Sequence, residues 1–248
     1  MKYVIIGCGW LGLPLAVELL RKGHEVAGSV RSEEKLRELK NKGVDAFLYD
    51  GFEIESVPVR FRNTDVLIVN FPPSKSVDYA IQIHSLLKQF SQNTSVVFTS
   101  STGVYAGFGS IDEESPVLEE HPVRRAETEV ENSGLNYTIL RLAGLIGGER
   151  HPVKYLSGKV SDNGQQCVNL VHREDVIRAI ERVISAKATG KIFNICFPNH
   201  PSRLEYYTAK AIEFGIDPPL FETSETEGKR VDGKLFSREH CFDYLTSI

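Results

Sequence analysis

The chain has 248 residues, 41% of them hydrophobic, and a formal net charge of −4 with both signs scattered along it. That is enough apolar material for a large core, which excludes a disordered chain, and the mixed charge argues against a nucleic-acid face or a membrane-seeking helix. A small-molecule partner is expected instead. No apolar run approaches the ~20 residues that span a bilayer, and the N-terminus enters a strand without a leader-like layout, so a cytoplasmic protein is expected. Cys8, Cys167, Cys196 and Cys241 are widely spaced with no Cys-x-x-Cys, which indicates neither a disulfide framework nor a metal site.

The first element is the apolar run Lys2–Ile6, which flows into Gly7-Cys8-Gly9-Trp10-Leu11-Gly12 and then a helical repeat (Leu13, Leu15, Ala16, Leu19, Leu20) closed by Gly23. This strand, glycine turn and helix predict a dinucleotide cradle. Gly7 permits the tight turn, Gly9 lets backbone approach a pyrophosphate, Gly12 lets helix and strand pack closely, and the amides around Trp10 and Leu11 face the phosphates. A second strand follows at Glu25–Val30, then a helix over Glu33–Asn41 with Ser32 as its cap. Further strands are expected at 46–49, ending at Asp50-Gly51, at 65–70, ending at Phe71-Pro72-Pro73, and at 95–99 and 137–142. Helices are expected from Ser76 to about Gln92 and over 123–132. Strands alternating with helices of this length imply a Rossmann-type doubly wound parallel α/β sheet. Ligands of such sheets gather at the C-terminal strand ends, which adds Asp50, Asn70, Phe71, Pro72, Thr99, Ser100, Leu142, Ala143 and Gly144 as cofactor candidates.

From residue 143 the pattern loosens into a glycine-rich, basic loop through Gly144, Gly147, Gly148, His151, Lys154 and Lys159. A short strand at 168–171, a helix at 174–185, a strand at 191–196 and a helix over Arg203–Phe214, capped by Ser202 and closed by Gly215, complete the reading. One dinucleotide-binding domain over 1–248 is expected, with 143–166 and 197–248 forming a substrate-side subdomain.

The acidic residue that grips ribose hydroxyls at the end of the second strand is missing, and Ser29-Val30-Arg31-Ser32 stands there. A guanidinium flanked by hydroxyls suits a 2′-phosphate, which favours NADP over NAD. The alternative is a solvated Arg31 opening the helix, with Glu33 or Glu34 reaching the ribose of NAD.

The run Phe98-Thr99-Ser100-Ser101-Thr102-Gly103-Val104-Tyr105 resembles the post-strand segment of the extended short-chain dehydrogenase/reductases, the NAD(P)-dependent epimerase/dehydratase superfamily. Arg141-Leu-Ala-Gly-Leu-Ile-Gly147, Asn169-Leu-Val-His-Arg-Glu-Asp175 and Phe193-Asn-Ile195 resemble later landmarks in the right order. The runs Leu140-Arg-Leu-Ala-Gly144 and Val168-Asn-Leu-Val-His172, together with Gly-x-Gly-x-x-Gly, are most similar to the atypical, YeeZ-like group.

The resemblance implies hydride transfer on a small carbonyl, alcohol or nucleotide-sugar substrate, with Ser101 as the hydroxyl that polarises a carbonyl and Thr102 beside it. Both hydroxyls otherwise satisfy backbone groups at a strand end. The Tyr-x-x-x-Lys pair of these enzymes is absent, and His121 and Arg125 occupy the nearest four-residue register. His121 is of a residue type that can donate and accept protons, and Arg125 can hold cofactor hydroxyls but cannot act as a base; the competing reading is a surface histidine at a helix start. Tyr105 is a further candidate acid at the substrate, although in the resembling family its position usually packs rather than reacts. His151, Lys154, His172, Lys229, Arg230 and Lys234 fall in segments that close over the cofactor in the resembling fold, where they bind an anionic group or form a solvated surface. Loss of Tyr-x-x-x-Lys also fits a non-catalytic dinucleotide sensor. Dimers are common in the superfamily, but the helix carrying Arg124, Arg125, Glu127, Glu129 and Glu131 is too charged for an apolar seam, which leaves monomer and homodimer open.

Overall fold

The computed structural model describes residues 1–50, 57–74, 77–222 and 227–248, so Gly51 and Ser76 lie outside the described residues. In chain order the elements are β1 (Lys2–Ile6), α1 (Gly12–Arg21), β2 (Glu25–Val30), α2 (Glu33–Asn41), β3 (Asp45–Leu48), β4 (Val66–Val69), α3 (Tyr79–Leu87), β5 (Ser95–Ser101), β6 (Gly109–Ile111), α4 (Pro122–Glu131) and β7 (Asn136–Leu142). There follow β8 (Gly144–Ile146), α5 (Val153–Leu156), β9 (Val160–Ser161), β10 (Leu170–His172), α6 (Arg173–Ser185), β11 (Lys191–Ile195), α7 (Arg203–Phe214), β12 (Leu220–Phe221), β13 (Lys229–Val231) and α8 (Lys234–His240).

Among the described residues, seven strands form one sheet in the order β11-β7-β5-β4-β1-β2-β3. The register is parallel: Ile5 pairs with Gly28 on one side and Ile68 on the other, and Ile68 pairs with Val97. Parallel strands covered on both faces need apolar side chains pointing both ways, which is why β1 and β4 read as continuous hydrophobic runs. Ile5, Ile6, Leu67, Ile68 and Phe98 are all 0% exposed. At about 1.5–3 kcal/mol for each such side chain, these strands supply the driving force that ordering the turns between them consumes.

The chain divides into two compact units: 1–104 with 118–140 and 180–192, and 105–117 with 141–179 and 193–248. The first holds the glycine turn and the central strands. The second holds its own apolar cluster of Ile146, Val153, Val168, Leu170, Tyr206, Tyr207 and Ala211, together with, among the described residues, three two-stranded parallel sheets, β10-β8, β12-β9 and β13-β6.

Several expectations are corrected. The helix expected from Ser76 to Gln92 begins at Tyr79, because Asp78 accepts the amides of Ala80 (2.9 Å) and Ile81 (3.4 Å) and so sets the start. β5 runs on to Ser101 rather than ending at Thr99, which puts three consecutive hydroxyls at the strand's end. The segment after residue 143, expected as a loop, contains β8, α5 and β9, and β6, β12, β13 and α8 add to the expected elements.

Candidate functional site

The glycine turn is built as its sequence requires. Gly7 has φ +101, and a Cβ there would collide with the Asn70 carbonyl, while a Cβ on Gly12 would collide with the Gly7 carbonyl. A Cβ on Gly9 meets nothing within 4 Å, so the space in front of the turn is open. Cys8 points inward, with its sulfur packed where a Cβ on Gly28 would have to sit, and burial pushes its thiol up to about 12. It is an inert filler that seats the turn on β2.

Helix α1 has Leu11 at its cap position, with no side-chain cap. Among the described residues the amides of Leu11 and Gly12 have no acceptor, whereas Gly9 donates to Gly7 and Leu13 to Gly9. Uncapped amides at a helix N-terminus attract an anion, and the open space at Gly9 lets a diphosphate come close. The chain therefore fits the phosphates of a dinucleotide at this turn.

Two side chains brace the turn from outside. Asn70, whose N–H donates to Ile6 O (2.8 Å), gives its Nδ2 proton to Gly7 O (3.1 Å) and accepts Thr99 Oγ1 (3.1 Å). Ser29 is 1% exposed and its Oγ accepts the Gly7 amide at 3.0 Å. This corrects the expectation for Ser29: the hydroxyl supports the turn and is not presented to a 2′-phosphate. Arg31 is exposed and has no acidic partner among the described residues, and Ser32 caps α2 by accepting Lys35 N. Asp50 and Pro72 are exposed. The Phe71 ring packs against Tyr49 and Tyr79, and the Phe71 carbonyl accepts the Tyr79 hydroxyl at 2.6 Å.

At the end of β5, Ser101 is half-buried and its Oγ accepts the Gly103 amide (3.0 Å), which leaves its O–H free to donate. Thr102 is half-buried beside it. Ser100 is corrected as a cofactor contact: it is buried and donates to Glu127 Oε1 at 2.5 Å. Glu127 is 0% exposed and also binds Arg124. Sequence reasoning missed it, although it stands in the buried stripe of α4 with Val123, Ala126 and Val130, where a carboxylate needs an explanation.

The nearest substitutes for Tyr-x-x-x-Lys are occupied elsewhere. His121 caps α4, with Nδ1 accepting Val123 N at 3.2 Å. Arg125 pairs with Asp78 at 2.9 Å because α3 and α4 pack together. His121 thus commits Nδ1 to the helix start, and Arg125 commits its guanidinium to the start of α3.

The remaining candidates lie in the second unit. Leu142 and Ala143 are buried, and Ala143 N donates to Ile195 O. Gly144 opens β8 against β10. Tyr105 is 0% exposed, its hydroxyl donating to Asn194 Oδ1 (2.7 Å) and its ring lying under the Arg141 guanidinium (4.8 Å). Burial raises its pKa. It is a core residue, not a substrate contact. His151 is buried, with Nε2 against the Tyr206 hydroxyl (2.9 Å) and Nδ1 accepting Val153 N (3.2 Å), so both ring nitrogens are used. Lys154 bonds Glu149, and Lys229 donates to Tyr105 O at 2.5 Å; both ammonium groups are tied down by their own unit. His172 accepts Glu174 N through Nδ1 (3.2 Å) and lies over Gly147. Arg230 is exposed with no acidic partner among the described residues, while Lys234 pairs with Asp232.

No helix of the described residues is long and apolar enough to cross a membrane. A family model described as NAD(P)H-binding matches residues 7–187. Protein YeeZ of Escherichia coli (strain K12) is 34% identical over 98% of this chain and 95% of its own length. In fold, the chain is similar to an NAD-dependent epimerase/dehydratase structure from Methylobacillus flagellatus (TM-score 0.80, 24% identity, 98% of this chain and 93% of that one). It is also similar to the UDP-glucose 4-epimerase of Thermus thermophilus in complex with NAD (TM-score 0.80, 18% identity, 100% and 95%). The glycine turn, the parallel sheet and these similarities agree: the chain belongs to the NAD(P)H-binding family, with YeeZ among its relatives.

Proposed function

We propose that the protein is an oxidoreductase or epimerase-type enzyme that uses NADP to move hydride at a carbonyl or carbinol carbon of a small substrate. The observation that carries the reading is the turn at Gly7–Gly12, with two helix-start amides lacking acceptors and open space before them. A bound nicotinamide supplies or accepts the hydride equivalent. The chain's own residues do the rest. The amides of Leu11 and Gly12 take the diphosphate, and Arg31 takes the 2′-phosphate as a planar, permanently charged fork. Ser101 donates its free O–H to the substrate oxygen and so polarises the carbonyl. Within the second unit, Arg230, exposed and without a carboxylate partner among the described residues, is the candidate contact for an anionic group such as a phosphate.

We place the protein in the cytoplasm, as a monomer or homodimer, and take 1–248 as one dinucleotide-binding domain with 143–166 and 197–248 on the substrate side. A second reading, a sensor that binds the dinucleotide without turnover, is favoured by one observation: His121 and Arg125 are engaged in a helix cap and an ion pair. Calorimetry with NADP, NADPH, NAD and NADH tests both, followed by absorbance at the reduced-nicotinamide band with a panel of sugars, aldehydes and ketones and by chromatography of nucleotide sugars for an epimerised product, which a cofactor that returns to its starting state would not reveal by absorbance. Turnover abolished by Ser101→Ala supports the enzyme. Tight binding without turnover across the panel supports the sensor, and absence of binding by all four forms overturns both readings.

A further inference from the structure

Three consecutive hydroxyls at the end of β5 are held in three directions. Thr99 Oγ1 meets Asn70 Oδ1 at 3.1 Å, and Asn70 in turn holds Gly7 O. Ser100 turns to the opposite face, as strand alternation requires, and donates to Glu127 Oε1 at 2.5 Å. Ser101 returns to the first face and accepts the Gly103 amide.

Glu127 is the costly member of this set. A carboxylate with no exposure is tolerated only when its charge and lone pairs are met. Arg124 meets the charge at 3.2 Å and is itself shared with Glu131 (2.8 Å) and Glu119 (3.3 Å). Its stripe neighbours Val123, Ala126 and Val130 are apolar, and an apolar residue at 127 would complete the stripe without any of this apparatus. Such a residue would lose the grip on Ser100 together with the pairing to Arg124.

We infer that Glu127 is a positioning residue for Ser101, acting through Ser100. It rests on the role proposed for Ser101. Asn70 and Thr99 bind the strand end to the dinucleotide turn from one side, and Glu127 and Ser100 bind it to α4 from the other. The peptide that carries the Ser101 hydroxyl is thereby fixed relative to Gly7.

The test uses the full chain with Ser100→Ala, which removes one hydroxyl, and Glu127→Gln, which keeps the volume. Amide hydrogen exchange over residues 101–103 is expected to quicken about tenfold in each variant. The dissociation constant for NADPH, read from its fluorescence, is expected to stay within about twofold of wild type. With any carbonyl of the panel that is reduced, the loss of turnover in either variant is expected to vanish in a Ser101→Ala background, whereas a merely structural carboxylate gives losses that multiply. Unchanged exchange at 101–103 in both variants, or multiplying losses, overturns the inference. If wild type neither reduces nor epimerises anything in the panel, the enzyme reading fails on its own account and the exchange measurement still decides the role of Glu127.

Discussion

The Gly7 amide donates to Ser29 Oγ at 3.0 Å, across the gap between the ends of β1 and β2. The bond explains why a serine stands where dinucleotide folds often begin their ribose contacts: the hydroxyl has been turned inward to hold the first glycine. Ser29→Ala leaves that amide without an acceptor in a buried setting, at a cost of about 1–2 kcal/mol. The expected outcome is a lower Tm and weaker binding of NAD and NADP by similar factors. A loss confined to NADP, measured by calorimetry, would return Ser29 to the 2′-phosphate.

Arg31 carries the opposite expectation. It is exposed and unpaired among the described residues, so truncation leaves no buried charge behind and stability should change little. Arg31→Ala is expected to weaken NADP about tenfold or more, the loss of one charge-assisted contact, and to leave NAD unchanged. Equal loss for both dinucleotides, or none for NADP, removes the basis for choosing NADP.

What is legible in the sequence follows from how local each signal is. Helix α7 is read correctly at both ends because its start and stop are written in neighbouring residues: Ser202 and Glu205 form a capping box and Gly215 takes φ +64. The glycine turn is legible for the same reason, whereas the bond from Asn70 to Gly7 O spans 63 positions and is not written locally. Strand β13 is not, because its three residues pair with Gly109–Ile111, more than a hundred positions earlier, and show no alternation of their own. Helix α8 (Lys234–His240) has a glycine, Gly233, at its cap position, and its first amide is accepted one residue earlier by Asp232 (2.7 Å), a start that the usual cap position does not announce. The candidate site residues that the structure reassigns share one cause. Sequence reasoning selects titratable groups for their chemistry, and the fold spends Lys154, Lys229, His121 and His151 on hydrogen bonds that position loops and helix starts.

The histidines give a pH dependence. His151 and His172 each accept the amide two residues ahead through Nδ1, so each is held with Nδ1 unprotonated. Burial lowers the pKa of His151 and of His172 below the ordinary 6.5; around His151 the charges of Lys210 and Lys154 add to this and Glu213 opposes it, while around His172 Glu174 and Asp175 oppose it and Arg173 adds to it. A depressed folded-state pKa means that the unfolded chain binds more protons. The stabilisation is therefore complete above pH 6.5 and is lost as pH falls through the folded-state values. Urea denaturation at pH 7.5 and 5.5 should show lower stability at the acid pH. In His172→Asn, whose carbonyl accepts the same amide without titrating, part of that difference should disappear; an unchanged slope counts against the role assigned to His172.

Asp175 is 0% exposed at the start of α6, and it fastens the C-terminal segment within its own unit. Its Oδ1 accepts Leu245 N (3.0 Å) and its Oδ2 accepts Thr246 N (3.1 Å), while Arg178 supplies the countercharge at 2.7 Å and reaches the Asp243 carbonyl as well. The Arg178 guanidinium also lies over the Phe242 ring, so one carboxylate organises both the backbone and the packing of residues 242–246. Asp175→Ala removes two amide acceptors and the partner of a half-exposed arginine. The cost should be about 2 kcal/mol, roughly 4–8 °C in Tm for a chain of this size. Asp175→Asn keeps one carbonyl acceptor and should lose less. Hydrogen exchange should quicken at the Leu245 and Thr246 amides before it does in β4, because the bonds removed belong to the tail and not to the sheet. Equal quickening in both places would mean that Asp175 supports the whole chain and not its last segment.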